Sequence, residues 1–274
     1  MKLEELLASS EHLPSIPKVI ALLLNELSRD EPDLRKITQM INTDPVLTTR
    51  LLRLANSAQF QLANKISSVS EALALLGLRQ VHSLATAAAV AGAFKGIQGM
   101  DMNAFWRYSL NVARLSRSLA GLAKQNQAAA FTAGLIHATG ELVMRLALSA
   151  EMTAMDATVP PLGLKRASAE RKLLGYSFAQ VGAGFSREWQ FPQPIVDALE
   201  HQDAPFDNDV YEPLAGVLHL AVWRSRARED RLEEQRLIYY FPDRVALALK
   251  LDRDMVFGED PLEWSSQADV DVML

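Results

Sequence analysis

The chain has 274 residues, 49% of them apolar and 22% charged, with a formal net charge of −5 from 28 Lys and Arg against 33 Asp and Glu. That balance is too apolar for a disordered chain and too acidic for sequence-independent nucleic-acid binding, which depends on neutralising phosphates with Lys and Arg. There is no cysteine, so disulfides, thiolate nucleophiles and Cys-ligated metals are excluded.

The first twelve residues mix acids into a short amphipathic pattern without a continuous apolar run, so no signal peptide is expected. Ser15 and Pro17 precede a helical stripe of Val19, Ile20, Leu22, Leu23, Leu24 and Leu27. Asp33 is placed to cap a helix carrying Leu34, Ile37, Met40 and Ile41. Asp44 with Pro45 is a helix start with proline at the first position, where its missing N–H costs nothing. That helix carries Leu47, Leu51, Leu52 and Leu54 and ends near Asn56 and Ser57. Ser68 and Glu71 have capping-box spacing ahead of Leu73, Leu75 and Leu76, and Gly77 is expected to stop this helix. The stretch from Leu84 to Phe94 is about half the length needed to cross a bilayer and reads as a buried helix.

Gly92, Gly96 and Gly99 mark a break at 95–102. Beyond it the pattern predicts one long helix over 103–123 and one or two over 128–150, divided around Gly134 and Gly140. Pro160, Pro161 and Gly163 form a loop, helices follow at 165–174, 178–188 and 193–201, and 204–209 is loop-like before a helix at 213–228. Clean alternation and hairpin dipeptides are lacking, so the chain is expected to be all-α. The expected organisation is an N-terminal helical lobe over 1–97, a second helical bundle over 98–205 and a C-terminal helical extension over 206–274.

A histidine stands in Gly134-Leu135-Ile136-His137-Ala138-Thr139-Gly140. Upstream lie Leu13-Pro14-Ser15-Ile16-Pro17, Asp44-Pro45 with Arg50-Leu51-Leu52, Leu54-Ala55-Asn56-Ser57, Ser67-Ser68-Val69 leading to Leu76-Gly77, and Phe105-Trp106-Arg107-Tyr108. Downstream lie Gly175-Tyr176-Ser177-Phe178 and Trp189-Gln190-Phe191-Pro192. In this order, over roughly 8–205, they resemble the HDOD domain of bacterial signalling proteins, a branch of the HD-domain superfamily. The resemblance implies a multi-helix fold with an N-terminal lobe and an HD-like bundle.

Hydrolases of that superfamily hold a metal with histidines and aspartates, centred on an adjacent His-Asp pair. Here the pair is His137-Ala138, Tyr108 and Phe178 stand where histidines are usual, and no carboxylate occurs near Ala221 or Val222. One ligand of the implied set survives, and metal-ion hydrolysis needs enough ligands to fix the ion and leave a position for water. Neither catalytic residue, metal nor cofactor is therefore expected. Tyr108, His137, Ala138, Phe178 and His201 are the candidate residues of a vestigial pocket. His137 is either a buried histidine bonded to a backbone carbonyl or to Tyr108, or part of a remnant site for a small ligand or a weakly bound metal. His201 reads as solvated or capping, His219 as core. The run Arg224–Arg236 reads as a solvated helix end with an Arg226–Asp230 pair. Asp252 to Glu263 imitates a calcium loop but has Phe257 where glycine is required. No G-x-S-x-G elbow and no phosphate-cradling loop occurs.

The resulting expectation is a cytoplasmic, non-enzymatic signal-transduction module that contacts a signalling protein partner, with no nucleic-acid or membrane partner. A homo-oligomer is compatible with it. Two alternatives stand beside it: a metal-dependent phosphohydrolase using His137 and His201 with Asp197 or Glu200, and a small-molecule or nucleotide sensor using the vacated pocket.

Overall fold

The computed structural model describes residues 1–8, 18–27, 29, 31–56, 65–94, 96–189, 191–207, 210–231 and 233–258. The expected cap at Ser15 and Pro17, the motif at 13–17, Ser57, Gln190 and the end of the calcium-like run lie outside these residues. Among the described residues every regular element is an α-helix. They fall into two compact units, one holding 18–94 and the other 1–8 together with 96–258.

The smaller unit contains α2 (Lys18–Leu27), α3 (Leu34–Asn42), α4 (Pro45–Ala55) and α5 (Val69–Ala93). Its helix starts follow from short polar side chains that satisfy the free amides of the first turn. The Asp33 carboxylate accepts from the backbone N–H of Arg35 at 2.9 Å and of Lys36 at 3.3 Å. Asp44 does the same for Val46 at 2.9 Å and Leu47 at 3.0 Å. Ser68 and Glu71 form the expected reciprocal box, Glu71 N–H donating to Ser68 Oγ at 3.2 Å and Ser68 N–H to the Glu71 carboxylate at 3.3 Å. Gly77 ends the first helical run, as expected. With φ 73° it puts a kink into α5, and the helix resumes beyond it. The helix is long and apolar enough to cross a membrane by length and composition, and 59% of its most apolar window is buried. It packs on α2, α3 and α4, where Leu23, Ile37, Ile41, Leu51 and Leu84 are fully buried.

The larger unit is built around α6 (Met102–Leu122), which packs against α7 (Gln127–Ile136) and α13 (Pro213–Glu229). A second layer sets α8 (Thr139–Ala147) against α11 (Phe178–Glu188), and α11 against α12 (Gln193–His201). Around it lie α9 (Ser149–Asp156), α10 (Arg166–Leu174) and the short α14 (Glu234–Tyr239), α15 (Asp243–Ala248) and α16 (Arg253–Gly258). The division between α7 and α8 falls at His137-Ala138, not at either glycine.

The grouping of residues differs from the expected lobes in two places. The short α1 (Leu3–Ala8) belongs to the larger unit, because Leu6 is fully buried and Leu7 fills the space left by Gly184 on α11. Residues 206–258 are part of that unit too and not a separate extension. Leu214, Val217, Leu218, Leu220 and Ala221 of α13 are all buried. Removing these side chains from water supplies the force that docks α13 on α6.

Candidate functional site

His137 sits at the C-terminal end of α7, between two glycines three residues away on either side. A methyl group on Gly134 would lie 2.6 Å from Ala113 Cα of α6, and one on Gly140 would lie 2.0 Å from the Phe178 carbonyl oxygen of α11. Both positions are therefore backbone-to-backbone contacts that only glycine permits. Together they draw α6 and α11 onto the turn that carries His137, and so bring Tyr108, His137 and Phe178 to one place.

These three line a cavity of about 540 Å³ with Gln202, His219 and Trp223, within the roughly 300–1,000 Å³ range of small-molecule clefts. Leu162, Leu164, Val222 and Pro242 add an apolar wall, and Lys165, Asp203 and Asp230 bring charge to the lining. Lys165 and Asp230 are exposed, and Asp203 is paired with Arg171. Two of the expected pocket residues are not in the lining. Ala138 is fully buried, and His201 lies one position away from Gln202, which takes the inward place in the helical turn. His219, expected in the core, faces the cavity instead. The sequence reading also missed Gln202 and Trp223.

The hydrogen bonds fix the polarity of this wall. His137 Nδ1 is 2.7 Å from the Gly134 carbonyl oxygen; a carbonyl only accepts, so Nδ1 carries the proton. Burial, only partly offset by that bond, pushes the His137 pKa down to about 4, and Nε2 is therefore a free acceptor at neutral pH. His219 repeats the arrangement: Nδ1 is 2.8 Å from the Gln202 carbonyl oxygen, and burial lowers its pKa. Gln202 Nε2 donates to the carbonyls of His137 at 3.0 Å and Leu199 at 2.9 Å. Gln202 Oε1, Tyr108 Oη and Trp223 Nε1 are buried without a hydrogen-bond partner among the described residues.

Tyr108 meets the His137 ring edge-on at 5.3 Å between centroids, and the Arg226 guanidinium lies 4.3 Å from its centroid. Burial raises the Tyr108 pKa to about 12, so the phenol stays neutral. Arg226 does not project into solvent from a helix end, as expected from its neighbours. It is largely buried, its Nη1 donating to Glu229 at 3.1 Å.

A buried ionic network holds the opposite wall. Arg166 donates to Glu170 at 3.0 Å, Glu141 at 2.9 Å, and Asp156 and the Val159 carbonyl at 2.8 Å each. Arg145 donates to Glu141 at 3.0 Å and Asp156 at 2.8 Å. Glu141, Arg166 and Glu170 are completely buried. Burial first, and then the neighbouring Glu141, raise the Glu170 pKa well above the usual carboxylate range. Glu170 also accepts from the Phe178 N–H at 2.7 Å. The network thus ties α8, the 157–165 loop and the start of α11 together behind Leu162, Leu164 and Phe178.

The residues do not fit the metal of the superfamily's hydrolases. At the positions where ligands are implied stand a phenol stacked by Arg226, a methyl group and a phenyl ring. Among the described residues no three His, Asp or Glu side chains converge to hold an ion.

Fold and site together define an all-helical domain of HD type whose ligand positions have been replaced. The family model of the HDOD domain matches residues 13–205, and the chain belongs to that family. A solved Shewanella amazonensis protein, provisionally named a phosphohydrolase, is 27% identical with a TM-score of 0.80, the match covering 98% of each chain. An HDOD domain protein of unknown function from Geobacter sulfurreducens is 20% identical with a TM-score of 0.77, covering 99% of this chain and 97% of that one. An uncharacterized Treponema pallidum protein is 25% identical over 221 residues, 77% of this chain and 42% of that protein, so the chain spans under half of that relative.

Proposed function

We propose that the chain is a non-catalytic regulatory module of bacterial signal transduction that works through contact with a signalling protein. The observation that carries this reading is the donor set at the HD position. Tyr108, Ala138 and Phe178 supply a neutral phenol and two hydrocarbons, and His137 spends Nδ1 on its own helix. One neutral imidazole nitrogen cannot fix a divalent ion and leave a position for an attacking water. The exposed apolar side chains Ile238, Tyr239, Tyr240 and Leu247 around α14 and α15 support a protein-contact role.

The test is hydrolysis of bis(4-nitrophenyl) phosphate by the purified protein with Mn²⁺, Ni²⁺ or Fe²⁺. The expected rate is that of metal and buffer alone. Turnover that disappears in His137→Gln would overturn the reading. Affinity capture from the native cell, followed by reconstitution with the purified partner, is expected to give a stoichiometric complex.

A further inference from the structure

We infer that the cavity between Tyr108, His137, Gln202 and Trp223 is a binding site for an uncharged, planar aromatic molecule bearing N–H donors, such as an aromatic amide. This goes beyond the regulatory reading, since neither protein contact nor lack of catalysis requires a ligand here.

The ligand class follows from what the wall offers. His137 Nε2, His219 Nε2 and Gln202 Oε1 are acceptors, because the remaining polar atoms of all three side chains already donate to backbone carbonyls. Trp223 Nε1 is a donor, and Tyr108 Oη can act either way; both are unpartnered, but like Gln202 Oε1 they are sealed behind the cavity surface. Left unmet, such atoms carry the full cost of desolvation. The Nε2 atoms of His137 and His219 are the acceptors of the wall that are not sealed in this way, so an occupant that meets them must supply N–H donors. Its charge is also constrained: the buried lining groups are neutral, the charged lining residues Lys165 and Asp230 are exposed and Asp203 is paired with Arg171, and a buried charge without a counter-charge is strongly disfavoured. Its shape follows from the rings of Tyr108, Phe178, Trp223 and Tyr240 in the lining, which favour a flat aromatic partner. Tyr240 both lines the cavity and stands 59% exposed, so an occupant touches a residue on the surface that supports partner contact.

Four probes of one shape isolate these requirements: indole-3-acetamide, indole-3-acetate, tryptamine and 1-methylindole, titrated into the full chain by calorimetry at pH 7. Indole-3-acetamide is expected to bind once per chain. The anion, the cation and the donor-free 1-methylindole are each expected to bind at least about tenfold more weakly, the equivalent of one lost or opposed polar contact. His219→Phe keeps a ring of similar size and removes one acceptor of the wall, so the folded variant should bind about tenfold more weakly. Val222→Trp, which fills the cavity from its wall, should abolish binding. No saturable binding of indole-3-acetamide up to roughly 5 mM, a ceiling weaker than any useful small-molecule affinity, would overturn the inference. So would equal binding of the anion, or undiminished binding by both variants. Catalytic turnover in the phosphodiester assay would instead sink the regulatory reading and leave these titrations standing.

Discussion

Replacing Arg166 with leucine tests whether the buried network, and not apolar packing alone, holds the wall of the site. The change removes bonds to Glu141, Asp156, Glu170 and the Val159 carbonyl, leaving Glu141 and Asp156 with Arg145 alone and Glu170 with the Phe178 N–H. Glu141 already has one carboxylate oxygen without a partner. Breaking a buried ion pair by removing one member costs about 3–5 kcal/mol, and since Glu141 and Asp156 keep Arg145 the lower half of that range is expected. At roughly 2–4 °C per kcal/mol for a domain of this size, the thermal midpoint should fall by about 10 °C. The loss should also depend on pH. A carboxyl deprived of its cation has a folded pKa above its unfolded value. It therefore contributes stability that is present below the unfolded value, near 4.5, and lost as pH rises through the folded one. The deficit of Arg166→Leu should be larger at pH 8 than at pH 5, and paired urea and thermal melts at those pH values measure it. A deficit under about 1 kcal/mol, or one identical at both pH values, would refute the reasoning.

Three further outcomes are expected. Gly140→Ala should cost about 3 kcal/mol or prevent folding, since its methyl would lie 2.0 Å from a backbone oxygen of α11; Gly121→Ala, which meets only the flexible end of Gln127, should change the urea midpoint little. His137 has its pKa lowered to about 4, so stability should fall as pH drops from about 6.5, where the unfolded chain takes up a proton that the folded one refuses. The loss from His137 reaches on the order of 3 kcal/mol near pH 4, and His137→Gln should remove that share of the urea-midpoint slope, leaving the share of His82 and His219, whose pKa values burial also lowers. Asp44→Ala should cost about 1 kcal/mol by leaving the amides of Val46 and Leu47 without their acceptor, visible as faster amide exchange in α4.

The helices were largely legible because their signals are local. Asp33, Asp44 and Ser68 with Glu71 act within their own first turns, and each cap stands where its spacing places it. Gly77 was readable as the stop of the first run of α5, where its φ of 73° leaves the helical region, but the second run that starts directly beyond it was not. Of the site, the ligand replacements at Tyr108, Ala138 and Phe178 were readable, since they rest on motif positions. The depth of His137 was readable as one of two alternatives. The inward face of α13 was not. His219, Val222, Trp223 and Arg226 recur at helical spacing, a stripe that the mixed charges of Arg224–Arg236 conceal. The ionic network was half visible: Glu141 with Arg145 and Arg166 with Glu170 are four apart, whereas the joining of Arg166 to Glu141 depends on how α8 and α10 are brought together.

The most direct test of the replaced HD site is a count of divalent ions bound by the folded chain. Protein equilibrated with Mn²⁺, Ni²⁺ or Fe²⁺, dialysed and subjected to elemental analysis, is expected to retain no stoichiometric ion, and His137→Gln should retain the same background amount. One tightly held ion per chain, lost in His137→Gln, would contradict the conclusion that Tyr108, Ala138 and Phe178 have dismantled the metal centre.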